Sequence, residues 1–196
     1  MKNPIPGIVA WSLAASAACA ACPTQADLAH GIELKRNDPF LGTVWTTTDQ
    51  GLTEARMTER DGEVSDVSAI YAHALAVTHR IDESGTLELV YETDPSTLDA
   101  LQIGQLWHST LRLLYDGSEI ADGTVSITRL EDGEQTVGEC TYRVWIVRSE
   151  QRLSGFSDTN FDYVYAPGLG LNLAAIRLDD RGDPVTGVFF DTIRAR

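Results

Sequence analysis

Ala69-Ile70-Tyr71-Ala72-His73-Ala74-Leu75-Ala76-Val77-Thr78-His79-Arg80-Ile81, then Asp82-Glu83-Ser84-Gly85, then Thr86-Leu87-Glu88-Leu89-Val90-Tyr91-Glu92: the fold class turns on this stretch. In its first run Tyr71, Leu75, Val77 and Ile81 fall on one face, and Ala72, Ala74, Ala76, Thr78 and Arg80 on the other. In its last run Leu87, Leu89 and Tyr91 point one way and Glu88 and Glu92 the other. A period of two is the signature of a half-buried strand. Asp, Ser and Gly between the runs supply turn chemistry, so the stretch predicts a hairpin whose apolar faces share one core. The alanines would tolerate a helix. The alternation favours strands.

The same pattern recurs along the chain. Residues 124–130 and 136–147 flank Glu131-Asp132-Gly133-Glu134, which predicts a second hairpin with an Asp-Gly turn. Within 136–147, Cys140, Tyr142, Val144 and Ile146 share one face; Thr141, Arg143, Trp145 and Val147 share the other. Residues 171–178 and 185–193 flank Asp179-Asp180-Arg181-Gly182-Asp183-Pro184, a third hairpin. Asp61-Gly62, Asp116-Gly117 and Asp122-Gly123 read as further turns, and 32–36, 43–48, 53–59, 106–115 and 161–165 as further strands. The one short helix expected lies at 95–101. About ten strands without βαβ alternation predict an all-β, mainly antiparallel meander, rolled into a barrel or a curved half-barrel.

The first twenty residues read differently. Lys2 is followed by an uncharged run from Pro4 to Ala18, most apolar at Ile8-Val9-Ala10-Trp11-Ser12-Leu13, and then by small residues up to Cys22. A basic start, a short apolar stretch and an Ala-rich region describe a secretory signal peptide. The expected division is a signal peptide over 1–20 and a single β-domain over 21–196. Ala18-Cys19-Ala20 suits cleavage before Ala21. Ser16-Ala17-Ala18-Cys19 resembles the lipobox of bacterial lipoproteins, departing from it at Ser16, where Leu is usual. That resemblance implies cleavage before Cys19 and a lipid on Cys19 as the route to membrane attachment. Either way the protein is exported, to the periplasm or the cell exterior. Export favours paired cysteines, and on either route Cys22 and Cys140 remain in the mature chain, so they are the expected disulfide.

Charge narrows the partners. The chain of 196 residues carries 29 Asp+Glu against 15 Lys+Arg, a formal charge of −14, and loss of Lys2 with the leader makes it −15. Such a surface disfavours nucleic acid and anionic lipid.

Sites of chemistry are sparse. His73 and His79 on one continuous strand would stand roughly 20 Å apart, too far to share a metal. His30 and His108 lie in no ligand motif. The carboxylate groups Glu131/Asp132/Glu134 and Asp179/Asp180/Asp183 lack EF-hand spacing and coincide with predicted turns. No catalytic motif of the GxSxG, SxxK or P-loop type occurs. The reading therefore assigns no catalytic residue, no metal and no cofactor.

The most distinctive string is Phe161-Asp162-Tyr163-Val164-Tyr165-Ala166-Pro167-Gly168-Leu169-Gly170-Leu171. It resembles the Tyr-x-Pro-x-x-Gly turn of several uncharacterised families of exported bacterial β-rich proteins and lipoproteins, with Tyr165, Pro167 and Gly170 matching. The resemblance implies export and a β-fold. Phe161, Tyr163 and Tyr165, with Trp107, are the candidate residues lining a ligand cavity. Gly42-Thr43-Val44-Trp45 is similar to the Gly-x-Trp of lipocalins but longer by one residue, which moves Trp45 to the other face of a strand. Charges such as Glu88, Glu92, Glu139 and Arg143 on strand faces, and a chain end at Arg196, fit an outer-membrane barrel poorly. The function expected is non-enzymatic: a cell-envelope β-domain that binds a small apolar ligand or an envelope protein. The alternatives are a hydrolase with a dispersed site and a structural or adhesive module.

Overall fold

The computed structural model describes residues 21–60 and 62–196; the expected leader over 1–20, with Cys19, lies outside the described residues. Thirteen strands follow in chain order: β1 (Ile32–Arg36), β2 (Leu41–Thr48), β3 (Gly51–Arg60), β4 (Glu63–His73), β5 (Ala76–Asp82), β6 (Gly85–Tyr91), β7 (Leu106–Tyr115), β8 (Ser118–Val137), β9 (Cys140–Leu153), β10 (Thr159–Ala166), β11 (Leu171–Leu178), β12 (Pro184–Phe189) and β13 (Thr192–Ala195). They form one antiparallel sheet in the order β12-β11-β10-β9-β8-β7-β6-β5-β4-β3-β2-β1-β13. The two terminal strands do not pair with each other, so the sheet is a curved half-barrel. Two short 3₁₀ helices, Gln25–Ala29 and Pro95–Ala100, accompany it. The second is the short helix expected from the sequence. Asp94 caps it, its side chain accepting the Ser96 N–H at 2.9 Å, and Pro95 opens its first turn.

Local turn chemistry explains several connections. Asp116 and Gly117 both take positive φ, 46° and 79°, which gives the type I′ turn that suits the twist of a hairpin. Asp82 accepts the Ser84 N–H at 2.9 Å and closes the β5–β6 turn. In the Tyr165-x-Pro167-x-x-Gly170 turn, the Leu169 and Gly170 N–H groups donate to the Ala166 carbonyl at 3.0 and 2.8 Å. Leu169 is thereby driven into the core.

Four expectations are corrected. Residues 69–81 are not one strand: the chain reverses at Ala74-Leu75 between β4 and β5. Irregular pairing at Ile70/Tyr71 and Tyr71/His73 also shifts the alternation. Arg80 consequently borders the cavity described below, with its side chain 49% exposed, and Ile81 is 43% exposed rather than buried. A one-residue slip exchanges the faces of every later side chain. The third correction concerns the long hairpin. Asp122-Gly123 and Asp132-Gly133 do not turn; β8 runs through both and reverses only at Gly138, where φ is +59°. Gly123 serves close approach instead, since a Cβ there would collide with the Arg152 carbonyl oxygen of β9. Finally, 185–193 is broken at Phe190-Asp191 into β12 and β13, which lie at opposite edges of the sheet. Asp191 holds this crossing. Its N–H donates to the Lys35 carbonyl, and its carboxylate accepts the Asn37 N–H, both at 2.7 Å.

The core forms two clusters. One gathers Leu75, Leu89, Leu98, Trp107, Leu111, Ile127, Val147 and Tyr165; the other gathers Leu28, Ile32, Leu34, Trp45, Val144, Val164, Leu169 and Leu171. Val147 and Tyr165 lie on one face of β9–β10 and Val144 and Val164 on the opposite face, so these strands are covered on both sides. The expected Cys22–Cys140 disulfide is present, with Cα atoms 5.5 Å apart, and secures the segment that carries Leu28.

Candidate functional site

The concave face holds a partly open cavity of about 410 Å³, walled in part by Trp45, Tyr71, Tyr91, Phe161, Tyr163 and Phe190. Strand register builds one wall. Ser149 of β9, Phe161 of β10, Arg177 of β11 and Thr186 of β12 are directly paired neighbours, and all four line the cavity. One row along, Tyr163, Ala175 and Val188 are paired in the same way and also line it.

The opposite wall carries a buried ionic centre. Glu54 on β3 is only 4% exposed. Its carboxylate accepts the Thr43 hydroxyl at 2.8 Å, the Tyr71 hydroxyl at 2.7 Å, and both Nε and Nη2 of Arg56 at 2.9 Å. Four donors, two of them the prongs of one guanidinium, satisfy a charge that burial alone would make very costly. Burial and the adjacent Glu54 charge push the Tyr71 phenol well above its ordinary range. Burial works against the charge on Arg56, but Glu54 outweighs it, and the guanidinium is held above its usual value. The Tyr163 phenol is pushed up to about 12 by burial, partly offset by Arg56. Both phenols are therefore neutral at physiological pH, and that of Tyr71 donates to Glu54. Trp45 Nε1 and Asn172 Oδ1 are buried without a hydrogen-bond partner among the described residues, and both residues line the cavity.

Of the candidates read from the sequence, Phe161 and Tyr163 line the cavity. Tyr165 and Trp107 are buried within the first core cluster instead. Tyr165 packs 5.0 Å from the His73 ring and donates its hydroxyl to Asp99 at 2.7 Å. Trp107 packs 6.1 Å from Tyr91. Arg56, Arg80 and Arg177 escaped the sequence reading. An isolated Arg on a strand resembles any solvated charge, and only the register joins these three.

The histidines separate. His73 is buried, whereas His79 is half exposed beside Thr78. The Leu75 N–H donates to His73 Nδ1 at 3.1 Å, so Nε2 carries the proton and faces Asp99 at 3.2 Å. Both ring nitrogens are occupied, and neither is free to act as a base. Burial holds the His73 pKa below its ordinary value, although Asp99 draws it upward. As pH falls through about 6.5, the unfolded chain takes up a proton that folded His73 resists, and stability declines. Lowering the pH from 7.5 to 5.5 is thus expected to reduce the melting temperature more in the native protein than in His73→Gln. Equal slopes would refute this.

The acidic groups behave as turns and surface pairs. The Asp179 carboxylate accepts the N–H groups of Arg181 and Asp183, both at 2.9 Å, and Asp132 accepts Arg129 Nε at 3.0 Å. Among the described residues, no group of three or more His, Cys, Asp or Glu could hold a metal ion.

No family model matches the chain, and no curated protein matches it. A similar solved structure is that of the hypothetical lipoprotein YmcC from Escherichia coli (K12), 12% identical over 85% of each chain, with a TM-score of 0.49.

Proposed function

We propose that this chain is an exported β-domain of the cell envelope that holds a small, largely apolar ligand in its concave cavity without chemically transforming it. The cavity carries this reading: about 410 Å³ walled by aromatic rings is the size and character of a small-molecule site. Export is supported by the leader-like first twenty residues and by a disulfide, which persists in oxidising compartments.

The test uses protein recovered from the exported fraction, with its N-terminus read by mass spectrometry. Titration with the neutral fluorophore N-phenyl-1-naphthylamine is expected to show saturable binding. Ala175→Trp, which fills the cavity from the β11 wall, should weaken binding at least about tenfold. Absence of the protein from the exported fraction would refute export, and an intact Met1 there would refute cleavage of the leader. Non-saturable binding, or binding indifferent to Ala175→Trp in a folded variant, would refute the cavity as the site.

A further inference from the structure

We infer that the ligand of this cavity carries an acidic group, a carboxylate or a phosphate, received by Arg177 with Arg80 at the cavity mouth. The inference rests on the proposed reading of the cavity as a binding site and adds the chemistry of what enters. The lining inverts the charge of the protein. The chain holds 29 acidic and 15 basic residues, yet among the described residues lining the cavity Glu54 alone is acidic, against Arg56, Arg80 and Arg177. Arg56 is consumed by its fork on Glu54. Arg80, with half its side chain exposed, stands 3.5 Å from a partly buried Asp82. Arg177 is exposed and makes no ion pair among the described residues.

The register gives this charge a direction. The row Ser149, Phe161, Arg177 and Thr186 offers hydroxyls, a ring and a free guanidinium side by side. The adjacent row, Tyr163, Ala175 and Val188, is almost wholly apolar. Rows on one face of a sheet lie about 6–7 Å apart and strands about 4.8 Å apart. The wall thus grades from polar to apolar over the length of a small amphipathic molecule. A guanidinium fork suits the paired oxygens of a carboxylate or phosphate, while the rings accommodate an apolar body.

Two fluorophores that differ by one acidic group separate this inference from the reading beneath it. They are 8-anilinonaphthalene-1-sulfonate and its neutral parent, N-phenyl-1-naphthylamine. The sulfonate is expected to bind at least about tenfold more tightly, read as the ratio of the two affinities, and that ratio should fall toward one in Arg177→Gln and in high salt. Laurate or dodecyl phosphate, but not dodecanol, should displace it, and the more effective of the two names the acid. If the parent binds and the sulfonate binds no better, if Arg177→Gln leaves the preference intact, or if dodecanol displaces as well as the acids, the acidic-group inference is overturned and the cavity reading stands. If neither fluorophore binds, both fall.

Discussion

Replacing Cys140 with Ser is expected to destabilise the protein by up to about 4–5 kcal/mol in the chain-entropy account. The bridge spans 118 residues of sequence, so its loss restores to the unfolded chain the freedom of a very long loop. For a domain of this size that corresponds to a fall in melting temperature of roughly 10–15 °C. The folded state loses as well. Cys22 precedes Pro23, whose carbonyl accepts the Tyr142 hydroxyl at 3.2 Å, and the helix Gln25–Ala29, whose Leu28 enters the second core cluster. Cys22→Ser should match Cys140→Ser, and dithiothreitol should lower the native protein to the same level. Urea unfolding midpoints that coincide for native, reduced and substituted protein would refute the prediction.

Glu54→Ala has the second large effect. Removing the acid leaves Arg56 half-buried beside Tyr71 and Tyr163 with no counter-charge, and deprives the Thr43 and Tyr71 hydroxyls of their acceptor. Breaking one partner of a fully buried pair costs roughly 3–5 kcal/mol; the Arg56 side chain keeps 35% exposure, so solvent screening brings the expected loss to about 2–3 kcal/mol. Replacing both charges, as in Glu54→Leu with Arg56→Leu, should recover much of the loss, because the residual penalty belongs to the stranded charge. A loss under about 0.5 kcal/mol for Glu54→Ala, typical of surface sites, would show that the centre contributes little.

These two sites differ in how far the sequence announced them. Cys22 and Cys140 could be paired by elimination, because cleavage on either expected route leaves the same two cysteines. Glu54 and Arg56 sit two apart on a strand, a spacing that puts them on one face but does not reveal whether the face is wet. Their burial depends on β2, β4 and β10 bringing Thr43, Tyr71 and Tyr163 around them. The candidate site was legible to the same extent. Phe161 and Tyr163 were marked as an aromatic strip. Tyr165 keeps the face of Tyr163, but two residues further along β10 that face meets His73 and Asp99 in the first core cluster rather than the cavity.

The turn at Ala74-Leu75 shows most clearly where local reading ends. It contains no Gly, Pro, Asn or Asp, and alternation runs on through it. It is held from afar: Asn172 Nδ2 donates to the Ala74 carbonyl at 2.7 Å, and His73, anchored by Asp99, accepts the Leu75 N–H. Asp132-Gly133 errs in the opposite direction. It is a good local turn sequence overridden by the pairing of β8 with β9 on both sides of it.

By itself the sequence determined that the chain is antiparallel β-sheet, which cysteines pair, and where Asp116-Gly117 and Asp82-Ser84 reverse it. Each of these follows from side-chain alternation, cysteine count or a turn residue acting on its own backbone. The tertiary structure alone decided that Arg80 borders the cavity, that the chain crosses from one sheet edge to the other at Phe190-Asp191, and that Arg56, Arg80 and Arg177 line one aromatic cavity. Those outcomes depend on bulges, on side chains about 100 residues distant and on the curvature of a 13-stranded sheet, which no short window of sequence contains.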